Sequence, residues 1–126
     1  MNCVKVNDNI VIGGSKLTLI GGPCTAEGAE LCCEVAFFLK ALCEKLDIQY
    51  IFKASFDKAN RSSGSSRRGP GLDEGLKIFA EVKKQCDVPV ITDVHESGEV
   101  AAVASVVDML QIPAFLCRQT DLLQAA

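Results

Sequence analysis

Four short apolar runs rich in β-branched residues, at residues 17–20, 50–53, 88–92 and 108–112, alternate with stretches of helical periodicity, and this order limits the fold more than any other feature. Strands joined by helix-length connections form parallel sheets, because parallel neighbours cannot be linked by a tight turn. The first connection sets Leu31, Val35, Phe38, Leu39, Leu42 and Leu46 on one helical face, and the second does the same with Leu72, Leu76, Phe79, Val82 and Cys86. A third helix, over residues 98–107, is Ala-rich and weaker, and a fourth starts near Thr120, whose hydroxyl suits an N-cap. Ahead of the first run, residues 4–6 and 10–12 flank Asn7-Asp8-Asn9, a connection suited to a β-hairpin, and Gly13-Gly14-Ser15 reads as a turn. The expected order is a hairpin and turn over residues 1–15 and four β/α units over residues 16–126. Two closures fit it: a flavodoxin-like open sheet, or one half of an eight-stranded barrel. In both, ligands meet the loops at the carboxyl ends of the strands.

The chain has 126 residues, 48% of them hydrophobic and 23% charged, which fits one globular domain or part of one. Its longest apolar stretches, residues 35–42 and 100–116, are broken by Lys40 and Asp108 and fall short of the roughly 20 residues a membrane span needs. The polar run at Asn7 argues against a secretory signal. Seven cysteines, an odd number without a C-x-x-C pair, sit mostly within apolar periodic segments, where a thiol is a small hydrophobe. That usage predicts a reducing, cytoplasmic compartment. The net charge is −3, yet residues 53–68 hold five basic side chains against Asp57 alone, so this segment is +4 and the remainder −7. A basic island in an acidic chain predicts a local anion site. A nucleic-acid surface would need a broader basic balance and more interleaved aromatics than Phe52 and Phe56.

The unusual polar residues fall just after the predicted strands. Gly21-Gly22-Pro23-Cys24 follows the first, and its glycines allow close backbone approach without matching a phosphate-loop fingerprint. Lys53 and Ser55, two apart at the end of the second strand, point to the same side and can reach one ligand. Lys58, Asn60, Arg61 and Ser62 follow in a loop, offering point charges and a planar fork suited to phosphate and carboxylate. Asp93-Val94-His95-Glu96 follows the third strand. His95 beside Asp93 and Glu96 suits acid/base or metal chemistry, although a single histidine is more often a hydrogen-bonded loop residue. Each motif also has a plainer reading: a solvated basic loop, a buried thiol at Cys24, packing cysteines at Cys32 and Cys33, and a helix-preceding loop at Gly69-Pro70-Gly71.

The run Phe52 to Ser63, FKASFDKANRSS, resembles the 3-deoxy-D-manno-octulosonate 8-phosphate (KDO 8-phosphate) synthase family. The resemblance continues through Arg68-Gly69-Pro70-Gly71-Leu72, Ile91-Thr92-Asp93-Val94-His95-Glu96 and the run from Gln111 to Leu122, and it covers about residues 17–126 in order. Lys58-Ala59-Asn60-Arg61 favours this family over the related 3-deoxy-arabino-heptulosonate 7-phosphate synthases, which typically carry Lys-Pro-Arg-Ser/Thr there. Where the family usually shows Ile-His-Ser-Tyr/Phe-Arg, this chain has Gly64-Ser65-Ser66-Arg67-Arg68, and Gly28 replaces a common Ser.

The resemblance implies a (β/α)₈ TIM barrel, of which this chain would be the N-terminal half, since a complete barrel takes roughly 250 residues. Alone, such a half would be inactive. It also implies condensation of phosphoenolpyruvate with arabinose 5-phosphate, with the related 3-deoxy-arabino-heptulosonate 7-phosphate synthase or a non-catalytic phosphosugar-binding fragment as the alternatives. Lys53, Ser55, Lys58, Gln111 and Ala114 would serve phosphoenolpyruvate; Asn60, Arg61 and Ser62 the aldose phosphate near a subunit interface; Asp93 and His95 the reacting sugar. Lys53, Lys58 and Asp93 are the implied catalytic residues. Cys24 occupies the Gly-Pro-Cys position that marks the metal-dependent form, in which it would bind Zn²⁺, Fe²⁺ or Mn²⁺. A homotetramer, with no nucleic-acid or membrane partner, completes the set of expectations.

Overall fold

The computed structural model describes residues 2–59, 64–65 and 68–126. The hairpin forms from β1 (Val4–Lys5) and β2 (Val11–Ile12), antiparallel with Val4 opposite Ile12. Its turn is held by the Asn7 side chain, whose Oδ1 accepts from the backbone N–H of Asn9 (2.9 Å) and Ile10 (2.8 Å), the local bonding that makes Asn a turn residue. The chain then alternates through β3 (Thr18–Gly21), α1 (Ala29–Lys45), β4 (Gln49–Lys53), α2 (Leu72–Cys86), β5 (Val90–Asp93), α3 (Val100–Ala104), β6 (Met109–Gln111) and α4 (Thr120–Ala125). Short 3₁₀ turns precede α3 (Ser97–Glu99) and α4 (Ala114–Leu116). The third helix is therefore divided, with a shorter α-helical part than its Ala-rich pattern predicts. Thr120 is the first residue inside α4 rather than its cap; Gln119 takes the flanking position.

The four parallel strands lie in sequence order, β3-β4-β5-β6. A flavodoxin-like sheet would reverse direction after its first strand and carry helices on both faces. Here one apolar cluster takes in Cys32, Ala36, Phe79, Val82, Val103 and Leu122 from all four helices, together with Tyr50, Phe52 and Val90. The helices thus share one face. On the other face Ile51 and Ile91 pack with Ile10, joined by Val6, Ile12 and Met109, so the hairpin covers the opposite side near the strand starts. Gln49 fixes this cover by exchanging hydrogen bonds with the Val11 backbone at 2.8 and 3.1 Å.

α2 buries its predicted face: Phe79, Val82 and Cys86 are buried, with Leu72 and Leu76 packed beside them. α1 does not. Its buried residues are Cys32, Cys33, Ala36 and Cys43, while Leu31, Leu42, Phe38 (68% exposed) and Leu46 (59%) face outward. Tyr50 and Phe52 already fill the space beneath α1, so small side chains fit there and larger ones would overpack it. Burial raises the pKa of the Cys32 and Cys43 thiols, and burial with the Cys33 neighbour pushes Cys86 up to about 11, which suits inert packing groups. Among the described residues no helix is long and apolar enough to cross a membrane.

Candidate functional site

Strand register sorts the side chains at the carboxyl end of the sheet. Lys53 pairs with Ile91 and Asp93 with Gln111, so Lys53, Asp93 and Gln111 share the face that carries Ile51, away from the helices. The ladder continues past the strands. Thr25 bridges Ser55, Ala26 N–H donates to the Ser55 carbonyl at 2.9 Å, Thr92 Oγ1 donates to the Ala54 carbonyl at 2.8 Å, and Val94 N–H donates to the Gln111 carbonyl at 3.1 Å. A row runs across four strand ends: Thr25, Ser55, Asp93 and Gln111.

Gly22 permits the first step of this row. A Cβ there would lie 2.1 Å from the Lys53 carbonyl oxygen, so the two strand ends approach too closely for any side chain. Phe56 anchors the loop after β4. Its ring is buried, a Cβ on Gly75 would meet its Cβ at 2.3 Å, and its carbonyl accepts from Gly71 N–H at 3.0 Å. The loop closes where Lys58 N–H donates to the Arg68 carbonyl (2.7 Å) and Arg68 clamps Asp57 through Nε (2.8 Å) and a terminal nitrogen (2.5 Å).

Within this frame Ser55 is fully buried and its Oγ accepts from Lys58 Nζ at 2.7 Å. That leaves the hydroxyl proton free to serve Asp93. Asp93 is also buried, and its Oδ2 lies 3.0 Å from His95 Nε2. Burial works against ionisation of Asp93, but the hydrogen bonds from His95 and then Ser55 outweigh it and hold the carboxyl below the usual range. The Asp93 hydrogen bond, against partial burial, raises His95 above the usual imidazole value, and the charges of Asp93, Glu99 and Asp57 add to it. Phe56 meets the His95 ring edge-on at 5.6 Å and 81°. Lys53, half-buried at the end of β4, has no ion pair or hydrogen-bonding partner for its ammonium among the described residues.

Lys53, Ser55, Lys58, Asp93, His95 and Gln111 are therefore brought to one end of the sheet. Cys24 follows β3 at the same end, exposed, with its carbonyl accepting from Ser55 N–H at 3.3 Å. Ala114 opens the 3₁₀ turn after β6, exposed and without a polar side chain. Asn60, Arg61 and Ser62 lie outside the described residues. Among the described residues no three His, Cys, Asp or Glu side chains cluster in a way that would hold a metal, so the thiol of Cys24 alone does not make a metal site. A concavity of about 530 Å³ lies at the other end of the strands beside Asn9, Tyr50, Lys83 and Pro89, remote from this chemistry.

Sequence reasoning missed three contributors. Phe56 was read only as an aromatic in the basic segment. Asp57 is the partner of Arg68. Glu99, rather than Glu96, faces His95: its Oε1 accepts from His95 N–H at 2.5 Å and from Glu96 N–H at 3.2 Å. The Glu96-x-x-Glu99 spacing of a capping box was the signal available for the last.

The profile of the DAHP synthetase I family matches residues 2–126. A Fusobacterium nucleatum protein named 2-dehydro-3-deoxyphosphooctonate aldolase is 61% identical over 127 residues, covering 100% of this chain and 45% of the relative. Proteins of the same name are 64% identical in Dechloromonas aromatica, over 85% of this chain and 38% of the relative, and 56% identical in a Synechococcus species, over 97% and 43%. The chain thus spans less than half the length of these relatives.

Proposed function

Because the chain belongs to the DAHP synthetase I family, we propose that the intact protein condenses phosphoenolpyruvate with D-arabinose 5-phosphate and water to give 3-deoxy-D-manno-octulosonate 8-phosphate and phosphate. The observation that carries this reading is the gathering at one end of the sheet of Lys53, without an ammonium partner among the described residues, a Lys58–Ser55 pair and an ionised Asp93. The identity of 61% to a protein named for that sugar phosphate supports it.

In this reaction C3 of phosphoenolpyruvate attacks the sugar aldehyde, water adds at C2, and the tetrahedral intermediate expels phosphate by C–O cleavage. Both substrates are anions, so their carbons approach only where positive charge offsets the repulsion. Lys53 and Lys58 meet the phosphoenolpyruvate carboxylate and phosphate, with Ser55, Gln111 and the backbone at Ala114 shaping that end. Lys58 is oriented by Ser55. Asp93 and His95 face the sugar, the carboxylate accepting from a hydroxyl, and Asn60, Arg61 and Ser62 take the aldose phosphate.

The intact fold we propose is a closed (β/α)₈ barrel. Sequential strand order, helices on one face and a hairpin over the other support it, as do relatives about twice as long. The open edge at β3 and the outward apolar side of α1 would then be covered. Cys24 is this chain's contribution to a divalent-metal site, Zn²⁺, Fe²⁺ or Mn²⁺. The described residues do not complete that site, and no step is routed through it here. A cytoplasmic homotetramer without nucleic-acid or membrane partners completes the proposal.

The test is loss of phosphoenolpyruvate absorbance when the purified intact protein meets both substrates. Consumption with arabinose 5-phosphate is expected. Consumption with erythrose 4-phosphate alone would move the activity to heptulosonate 7-phosphate synthesis, and binding without turnover would leave a phosphosugar-binding protein.

A further inference from the structure

His95 lies between two carboxylates, and both of its ring nitrogens face one. Nε2 is 3.0 Å from Asp93 Oδ2, and Nδ1 is 3.5 Å from Glu99 Oε1. The side chains of His95, Asp93 and Glu99 are only 9%, 10% and 16% exposed. A neutral imidazole has one N–H and one lone pair, so it would turn a lone pair toward an anion on one side or the other. Only the doubly protonated ring presents a hydrogen to each. The first contact is a hydrogen bond and the second an ion pair just beyond hydrogen-bond length, which leaves Nδ1 buried and without a full acceptor. A proton on Nδ1 makes Glu99 its electrostatic partner.

Glu99 is fixed independently of the ring. The same Oε1 accepts the backbone N–H groups of His95 and Glu96, and the Glu96 side chain in turn bonds the Glu99 backbone, so the carboxylate is built into the turn that carries the histidine. The other charges around the ring do not displace the proton. Asp57, from the loop after β4, adds negative charge, partly offset by Arg68. Lys58 is committed to Ser55. α3 carries no charge, and α4, which packs against the turn, carries Asp121 and no cation.

We infer that Glu99 is a positioning residue which, together with Asp93, keeps His95 as a fixed imidazolium at the carboxyl end of the sheet. His95 is then a cation and proton donor of this site rather than its base. Its Nε2–H holds Asp93 as a carboxylate whose Oδ1, buried and without a partner among the described residues, remains an acceptor. That this cation faces substrate rests on the function proposed above; its charge state does not.

The chain has one histidine, so the ring can be read directly by ¹⁵N NMR with labelled histidine. In the unaltered 126-residue chain the raised midpoint means that more than half of the rings should carry a proton on both nitrogens at pH 6.5, the ordinary imidazole midpoint. Glu99→Gln keeps an acceptor for the two N–H groups and removes the charge, so it should shift the titration midpoint of His95 to lower pH. Asp93→Asn should shift it down as well. A ring less than half doubly protonated at pH 6.5 in the unaltered chain would overturn the inference, even if both variants failed to fold. So would a Glu99→Gln midpoint equal to that of the unaltered chain. Protonated nitrogens in this chain together with an intact protein that leaves phosphoenolpyruvate untouched would sustain this inference and defeat the proposed function; a neutral ring here with consumption of phosphoenolpyruvate by the intact protein would do the opposite.

Discussion

Replacing Gly22 with alanine should damage both folding and catalysis, and the size of each effect follows from one contact. An alanine Cβ would stand 2.1 Å from the Lys53 carbonyl oxygen, 3.0 Å from its carbon and 3.2 Å from its nitrogen. The obstacle is backbone, which cannot swing aside as a side chain can. Moving the oxygen contact from 2.1 out to 3.0 Å requires the ends of β3 and β4 to part by about 1 Å, a forced expansion of a kind that costs about 1–3 kcal/mol. The displaced residue is the one whose ammonium we assign to phosphoenolpyruvate, and a misplacement of about 1 Å commonly costs about 100-fold in rate. Denaturant unfolding of the intact protein measures the first effect, and the rate of phosphoenolpyruvate loss the second. Stability unchanged within about 0.5 kcal/mol together with full turnover would refute the close approach of the two strand ends.

Other perturbations separate the parts of the site. Lys53→Ala should raise the KM for phosphoenolpyruvate most, whereas Arg61→Ala should weaken aldose-phosphate binding by about 2–4 kcal/mol through loss of a charged fork; equal effects on both substrates, read from steady-state kinetics, would reject the division. A strong chelator should abolish activity of the intact protein and added Mn²⁺ or Zn²⁺ restore it, with the 126-residue chain alone binding metal weakly in calorimetry; activity in a preparation shown to be metal-free would remove Cys24 from the chemistry. The Asp93–His95 pair should stabilise the fold most between roughly pH 4 and 6.5. His95 has a raised pKa, so its contribution is complete below the ordinary imidazole value and fades as pH rises through the raised one. Asp93 has a lowered pKa, so its contribution is present above the ordinary carboxyl value and fades as pH falls through the lowered one. The difference in unfolding free energy between the protein and His95→Gln should therefore be about 1.5–3 kcal/mol near pH 5.5 and shrink in alkaline solution; a difference constant to pH 9 would contradict the ion pair.

The carboxyl ends of the strands were legible because two rules act there without help from distant packing. Strand periodicity puts Lys53 and Ser55 on one side, and ligands in parallel sheets meet the loops after the strands. Asp93 and Gln111 join them through register, which residue spacing alone does not give. His95 was visible beside Asp93 and Glu96; Asp93 does meet it, but the second carboxylate is Glu99 rather than the adjacent Glu96. Adjacent side chains diverge in an extended segment, and the 3₁₀ turn at Ser97–Glu99 brings Glu99 back instead. The strand order, too, lay beyond the sequence pattern: alternation fixes parallel pairing but not which strand is central, and the continuous β3-β4-β5-β6 order with helices on one face departs from a flavodoxin-like sheet.

The face of α1 was misjudged for a reason that bears on the whole fold. Large apolar residues dominate a periodicity estimate, so Leu31, Phe38, Leu42 and Leu46 outweighed Cys32, Cys33, Ala36 and Cys43. In the structure the sheet supplies the bulk through Tyr50 and Phe52, α2 supplies more through Phe79, and complementarity then demands small residues on α1. The residue sizes on α1 therefore differ by side: the crowded sheet takes cysteine and alanine, while the outward leucines and phenylalanines would fit a second, more spacious surface. In the closed barrel proposed above, a neighbouring helix would be such a surface, and β3, an edge strand on which Leu19 and Ile20 are exposed, would pair with the strand that accompanies it.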